Sequence, residues 1–271
     1  MLCRVLGVSR SGFYDYLHRY HNPKYDHKQI KLEFRVREIF KNSKYTYGSR
    51  RILRQLLSEG YTIGRYRVRS LMRKLNLHAR CRKRYKITTN SKHHYPIAPN
   101  LLDRQFTAAG PDRVWTTDIS YIWTLEGWLY LTIHMDLYSR QIVGWAMDKH
   151  MGVQLVLDSL SMAHSRRKPS KGLIHHSDRG IQYACNTYQE VIKACQMIPS
   201  MCRKGDCWDN APTERFFRSL KSEYLTYCRL PSREAAKKEI LEYITFYNAD
   251  RLHSTLDYVS PMQYERLQRA A

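Results

Sequence analysis

Trp-Thr-Thr-Asp-Ile-Ser-Tyr-Ile, residues 115–122, is the stretch on which the reading of the fold turns. It is rich in aromatic and β-branched residues and reads as part of a strand over 114–123. An acidic residue, Asp118, stands in its middle. A second, Asp178, closes the short apolar run Gly-Leu-Ile-His-His-Ser-Asp (172–178), which reads as another strand and its exit. A third, Glu214, follows Asp-Asn-Ala-Pro-Thr (209–213), which reads as the start of a helix. Two strand-borne aspartates and a helix-borne glutamate can converge only if sheet and helix pack together. Converged, they would bind divalent metal and act on phosphodiesters.

Outward from residue 115 the pattern is mixed. Strands are expected at 114–123, 127–137 and 141–147. The short breaks at Glu126-Gly127 and Ser139-Arg140 make these an antiparallel meander. Val153, Val156, Leu157, Leu160 and Ala163 mark a helix, 173–176 a fourth strand, and Tyr188, Val191, Ile192 and Cys195 another helix. A fifth strand is expected at 197–201, and helices at 211–227 and 232–248.

Longer motifs surround the acidic residues. They are His-Ser-Asp-Arg-Gly-Ile-Gln-Tyr (176–183) and Asp-Asn-Ala-Pro-Thr-Glu-Arg-Phe-Phe-Arg-Ser-Leu-Lys-Ser-Glu (209–223). Phe-Tyr-Asn-Ala-Asp-Arg-Leu-His-Ser-Thr-Leu (246–256) follows, then Ser-Pro (260–261). From about residue 28 to about 267 the chain resembles the OrfB-type transposases of insertion-sequence family three. Those are relatives of retroviral integrases in the superfamily named for its Asp, Asp, Glu triad. The resemblance implies an α/β fold: a ribonuclease-H-like integrase catalytic core, a mixed five-stranded sheet with helices, preceded by a small all-α helix-turn-helix module. The element order agrees. Ile181 stands where the family often has Ser, and Leu252 and Asp257 where it usually has Pro and Gly; none touches the triad.

The net charge of +22 is unevenly spread. Residues 1–100 hold 24 Lys and Arg against 5 Asp and Glu, and residues 101–271 hold 22 against 19. A basic first third points to a polyanion, and nucleic acid is the commonest such partner. The seven cysteines have no paired spacing, so neither a disulfide framework nor a zinc module is expected. No apolar run is long enough to span a bilayer, and the expected location is cytoplasmic, in a bacterium and associated with the nucleoid.

Five segments are expected. Residues 1–27 resemble the tail of a helix-turn-helix, and 28–86 form a basic helix-turn-helix module. Residues 87–111 read as a proline-broken linker, 112–230 as the catalytic core, and 231–271 as a C-terminal helical segment. Ile30, Leu32, Phe34, Val36, Ile39 and Phe40 mark the first helix of the basic module. Ile52, Leu53, Leu56 and Leu57 mark the second, stopped at Gly60. In the third, Arg65, Arg67, Arg69 and Arg73 interleave with apolar positions and are candidate DNA-binding residues.

Hard cations prefer oxygen ligands, so Asp118, Asp178 and Glu214 are the candidate catalytic and metal-binding set. The expected cofactor is two Mg²⁺ ions, with Mn²⁺ as a possible substitute. Asp209 or Asn210 is expected to cap the helix bearing Glu214. Lys221, two helical turns beyond Glu214, is a candidate for holding a phosphate, which the resemblance supports. Asp136 is a competing carboxylate, with a hydrogen bond to Ser139-Arg140 the expected role. Arg251 and His253 either reach DNA or pack.

The resulting expectation is a DNA transposase that cleaves the 3′ end of an insertion element and joins it to target DNA. Expected partners are double-stranded DNA, at least one further copy of the chain, and the upstream-frame (OrfA-type) protein. The alternatives are a nuclease on the same fold and a non-catalytic DNA-binding regulator.

Overall fold

The computed structural model describes residues 2–5, 7–21, 26–80, 95–203 and 207–270. They divide into two compact units, Met1–His78 and Ala79–Ala271. The basic run from residue 81, the linker up to 94 and Asp206 lie outside the described residues.

The first unit is helical: α1 (Leu2–Val5), α2 (Arg10–His21), α3 (His27–Asn42), α4 (Ser49–Ser58) and α5 (Arg65–Lys74). Asp26 caps α3, its carboxylate accepting the Lys28 and Gln29 backbone N–H groups at 3.0 and 3.1 Å. Leu32, Val36, Ile39 and Phe40 of α3 are buried, as are Ile52 and Leu56 of α4 and Val68, Leu71 and Met72 of α5. Helix α4 ends where expected. Gly60 has φ +84°, its N–H reaches the Leu57 carbonyl, and the Tyr61 N–H reaches the Leu56 carbonyl. This is a left-handed glycine stop. Ile30 and Phe34 depart from expectation and are exposed. At about 100° per residue they lie on the side of α3 away from the 32-36-39-40 stripe.

The second unit holds a five-stranded sheet in the order β3-β2-β1-β4-β5. Its strands are β1 (Val114–Thr124), β2 (Gly127–Asp136), β3 (Ile142–Asp148), β4 (Ile174–Ser177) and β5 (Ile198–Met201). The first three form the antiparallel meander, and β4 and β5 run parallel to β1. Between them come α6 (Val153–Arg167), α7 (Ile181–Ala184) and α8 (Asn186–Ala194). These cover the face that carries Trp115, with Val156, Leu160, Ala163, Tyr183, Tyr188 and Ile192 in the core. The chain ends in α9 (Ala211–Ser219), α10 (Arg233–Ala249) and α11 (Pro261–Ala270).

The helix expected over 211–227 is not continuous. After α9 the chain widens into a π turn, Leu220–Tyr224, then tightens into a 3-10 turn, Leu225–Tyr227. Ser222 and Thr226 hydroxyls back-bond to the Arg218 and Lys221 carbonyls at 2.6 and 2.7 Å, a pattern that bends helices. Within this turn Glu223 meets Arg251 in a buried ion pair, 3.0 Å. Residues 95–111 are irregular but tied down: Leu102 is buried, and the Leu101 N–H donates to Ser200 Oγ at 2.9 Å.

One polar cluster lies inside the core. His134 Nε2 is 3.0 Å from His175 Nε2, His134 Nδ1 is 2.8 Å from Ser159 Oγ, and the Tyr188 hydroxyl is 3.1 Å from His175 Nε2. Two ring nitrogens at that distance share one proton, so the two imidazoles cannot both be charged. Burial pushes both below the ordinary histidine range, His175 to about 3. Because the unfolded rings titrate near pH 6.5, keeping them neutral stabilises the fold above about pH 6.5, and this is lost as pH falls below it. Nitrogen NMR should show both rings neutral from pH 8 to pH 5; titration of either near its unperturbed value would contradict this packing.

Candidate active site

The site follows from the shortness of β4. Its ladder with β1 has three pairs, Val114–Ile174, Trp115–His175 and Thr116–His176. Beyond Thr116 the β1 edge is open. Continuing the same parallel register by two residues brings Asp118 level with Asp178, just past the end of β4. Side chains alternate along a strand, so Thr116, Asp118, His176 and Asp178 share one face.

The segment leading into α9 binds that face and edge. Thr213 Oγ1 is 2.7 Å from Thr116 Oγ1, both buried. Asn210 Nδ2 donates to the Thr117 carbonyl at 3.0 Å, and His176 Nε2 to the Asp209 carbonyl at 3.1 Å. These bonds bring the first turn of α9, with Glu214, to the aspartates. Asn210 occupies the N-cap position but makes no side-chain cap bond, contrary to expectation. Its amide is spent on β1 instead, and its buried Oδ1 has no hydrogen-bond partner. Asp209 does not cap either. Its buried carboxylate accepts from Arg203 (2.8 Å to Nη2), Arg104 (3.1 Å) and Asn100 (2.9 Å). Hydrogen bonding from Arg203 holds it well below the usual carboxylate range.

Asp118, Asp178 and Glu214 are all half-buried. Burial raises the Asp118 carboxyl well above its ordinary value, and the negative charges of Asp178 and Glu214 raise it further; Lys221 opposes them. Burial also raises Glu214, against the pull of Arg218. Locally, Asp118 accepts the Ile119 N–H at 2.8 Å and Asp178 the Gly180 N–H at 2.9 Å. Among the described residues, no three carboxylate, imidazole or thiol groups are already gathered tightly enough to hold a cation. The donor set nevertheless fits one: all oxygen, mutually repelling, and stabilised by a positive charge placed among them.

Lys221 lies in the π turn, with its Nζ 5.1 Å from the centre of the Tyr121 ring. Burial lowers its pKa to about 8, while Asp118 supports its charge. Of the helix α5 arginines, all four are exposed. Arg65, Arg69 and Arg73 fall with Tyr66 within roughly a 100° arc. Arg67 lies off this stripe and donates to Gln29 Oε1 at 2.8 Å.

Asp136 is not part of the set. It accepts the Asp112 and Tyr138 backbone N–H groups, each at 2.8 Å, and lies 3.3 Å from Arg167 Nη2; its partners are not Ser139 and Arg140. Arg251 and His253 pack: Arg251 pairs with Glu223, and His253 meets Tyr247 edge to face, ring centres 4.7 Å apart. Tyr183 was not anticipated. Its buried hydroxyl is 3.2 Å from Thr117 Oγ1 and 3.4 Å from Thr132 Oγ1, and burial, then Asp118 and Asp178, push its pKa well up. It closes the 176–183 motif, five residues after Asp178, which was the available signal.

The Asn210 bond predicts a separable effect. Asn210→Ala should cost about 1 kcal/mol in denaturant unfolding, because the lost bond is offset by removal of an unsatisfied acceptor. DNA end joining should fall far more than that stability loss explains. Equal joining by the variant and wild type would show that the bond does not position Glu214.

A family model described as an integrase core domain matches residues 108–207, and a second of the same description matches 214–268. A model described as an HTH-like domain matches residues 24–85. The chain is 41% identical over 265 residues to an insertion element IS600 protein of 31 kDa from Shigella sonnei, covering 97% of each chain. It is 38% identical over 271 residues to the transposase InsF for insertion sequence IS3A of Escherichia coli, covering 97% of this chain and 92% of the other. By structure it resembles a chain of the simian T-cell lymphotropic virus intasome, with a TM-score of 0.51 at 17% identity, covering 78% of this chain and 69% of that one. That likeness shows the integrase-core fold. With both parts matched in order and the identity sustained over nearly the full length, the chain belongs to the family of DNA transposases encoded by IS3-type insertion sequences.

Proposed function

We propose that this transposase performs metal-dependent 3′-end cleavage and strand transfer at a site made of Asp118, Asp178 and Glu214. The observation that supports the reading is the β1–β4 register that sets Asp118 level with Asp178, together with the Thr116–Thr213 and Thr117–Asn210 bonds that fasten the first turn of α9, with Glu214, to the same strand. The three would hold two Mg²⁺ ions, with Mn²⁺ as a substitute; such ions activate an attacking oxygen and stabilise a leaving one. Asp118 and Asp178 supply the primary oxygen ligands and Glu214 completes the second position. Lys221, beside Asp118, grips a phosphate next to the scissile bond, and its charge supports the folded arrangement of the carboxylates.

Double-stranded DNA, both element end and target, is the proposed substrate. Residues 28–86 supply the DNA-reading module, with Arg65, Arg67, Arg69 and Arg73 on α5 as its candidate contacts and 1–27 as a preceding tail. Residues 87–111 join it to a core at 112–230, followed by the segment at 231–271. Pairing two element ends calls for at least two copies of the chain, and an upstream-frame protein is the proposed additional partner. The proposed setting is the bacterial cytoplasm, at the nucleoid. No described helix is long and apolar enough to cross a membrane.

Strand joining on a labelled element-end fragment tests the chemistry. Asp118→Asn, Asp178→Asn and Glu214→Gln should each abolish joining with Mg²⁺ while leaving DNA binding largely intact. Near-wild-type joining by any of them would remove that residue from the site. Lys221→Ala should weaken capture of the end by about 1–3 kcal/mol, the worth of a hydrogen bond to a charged group. High DNA concentration should partly restore it, and Lys221→Arg should retain substantial activity.

Affinity tests the basic module. Binding should weaken with salt at a log–log slope of about 0.9 per phosphate neutralised. A chain with Arg65, Arg69 and Arg73 changed to Ala should show a slope shallower by about 2 to 3. An unchanged slope would mean that the α5 stripe faces away from DNA.

A further inference from the structure

The β1–β2 hairpin outruns the rest of its sheet. β3 pairs with β2 only as far as Tyr130, and β4 leaves β1 after Thr116. From Ile122 to Leu129 the hairpin is therefore a two-stranded ribbon. Its tip is fixed: the Leu125 N–H donates to the Leu230 carbonyl at 3.1 Å, and Arg233 Nε to the Trp128 carbonyl at 3.0 Å. One face of the ribbon is built into the core, with Ile122 and Leu129 buried. The other, by the pairings Tyr121–Tyr130 and Trp123–Trp128, carries four aromatic residues.

These rings form an edge-to-face chain. Trp123 and Trp128 are 4.8 Å apart, Tyr121 and Trp128 5.3 Å, and Tyr121 and Tyr130 6.4 Å. Folding does not account for them: Trp123 is 58% exposed and Trp128 43%. Lys221 Nζ lies over Tyr121, one of the inner rings, and Arg233 Nε reaches the Trp128 backbone carbonyl. Asp118 is on the same strand, about 17 Å of extended backbone from Trp123, with its side chain on the other face of the ribbon by strand alternation, so a DNA strand links the two by crossing the open edge of β1. Exposed flat rings with a cation over one of them match unpaired nucleobases and their phosphates, because every base has a face that stacks on an aromatic side chain.

We propose that this ribbon face is a stacking platform for unpaired nucleobases of the strand that reaches the Asp118 site across the open edge of β1. The proposal rests on the active-site reading above. A duplex buries its base faces, so the platform engages bases that have left the helix, and the fixed tip keeps the rings in place without DNA.

The test is a fluorescence measurement with no chemistry in it. The full-length protein, without divalent metal, is titrated against a deoxythymidine 20-mer carrying one 2-aminopurine. Stacking should quench the probe several-fold. Trp123→Ala with Trp128→Ala should bind the oligonucleotide on the order of ten-fold more weakly and leave the probe bright at saturation, with duplex affinity little changed. Trp123→Leu keeps apolar bulk without a flat ring and should act in the same direction. Full quenching in both variants would overturn the proposal. So would unchanged quenching with a fall from dimer to monomer in sedimentation, which would make the ribbon a contact between copies. Loss of joining in the triad variants, or its absence from that result, leaves this readout untouched, so the platform and the active-site reading fail separately.

Discussion

The proposed cation site needs three carboxylates beside one another at the open edge of β1, and the surrounding structure answers that constraint. Like charges at close range raise the cost of ionisation, and Asp118 carries it, its carboxyl pushed up by burial and by both acidic neighbours. The arrangement persists because uncharged bonds hold the three elements. The β1–β4 ladder sets Asp118 level with Asp178. The Thr116–Thr213, Thr117–Asn210 and His176–Asp209 bonds fasten the entrance of α9 across the same edge. Asp209 is itself pinned by Arg203, Arg104 and Asn100. A bound cation would relieve the repulsion that this scaffold resists.

Lys221 depends on a second layer of support. A regular helix would carry Glu214 and Lys221 along one face; here a π turn intervenes. Such turns occur mostly as single irregularities inside α-helices, frequently at functional sites. Glu223 in the turn is locked to Arg251 at the end of α10, both almost fully buried. Removing one member of such a pair strands a buried charge. The C-terminal motif at 246–256 thus works from behind: Arg251 holds the turn that presents Lys221, and His253 packs on Tyr247.

The sheet was legible because its signals are local. Short breaks bound the meander, β-branched and aromatic residues fill the strands, and strand positions were read to within a residue or two. The candidate triad stood out in the sequence because its acidic residues lie in otherwise apolar or helix-starting contexts. What could not be read depends on contacts between distant segments. Asn210 and Asp209 look like helix caps, yet their side chains are committed to β1 and, for Asp209, to nearby Arg203 and to Arg104 and Asn100 far along the chain. The break after Ser219 follows from hydroxyl back-bonding and the Glu223–Arg251 pair, neither visible as periodicity. Ile30 and Phe34 look like core but lie opposite the stripe that packs. Tyr183 reaches β1 and β2 only once α7 docks.

The central claim, that Asp118, Asp178 and Glu214 form one cation site, is tested most directly by Mn²⁺ titration of the DNA-bound protein, followed by electron paramagnetic resonance. The account predicts that wild type takes up Mn²⁺, that Asp118→Asn, Asp178→Asn and Glu214→Gln each lose bound metal, and that Asp158→Asn on the exposed side of α6 binds as wild type does. Mn²⁺ uptake unchanged in the three variants would contradict it.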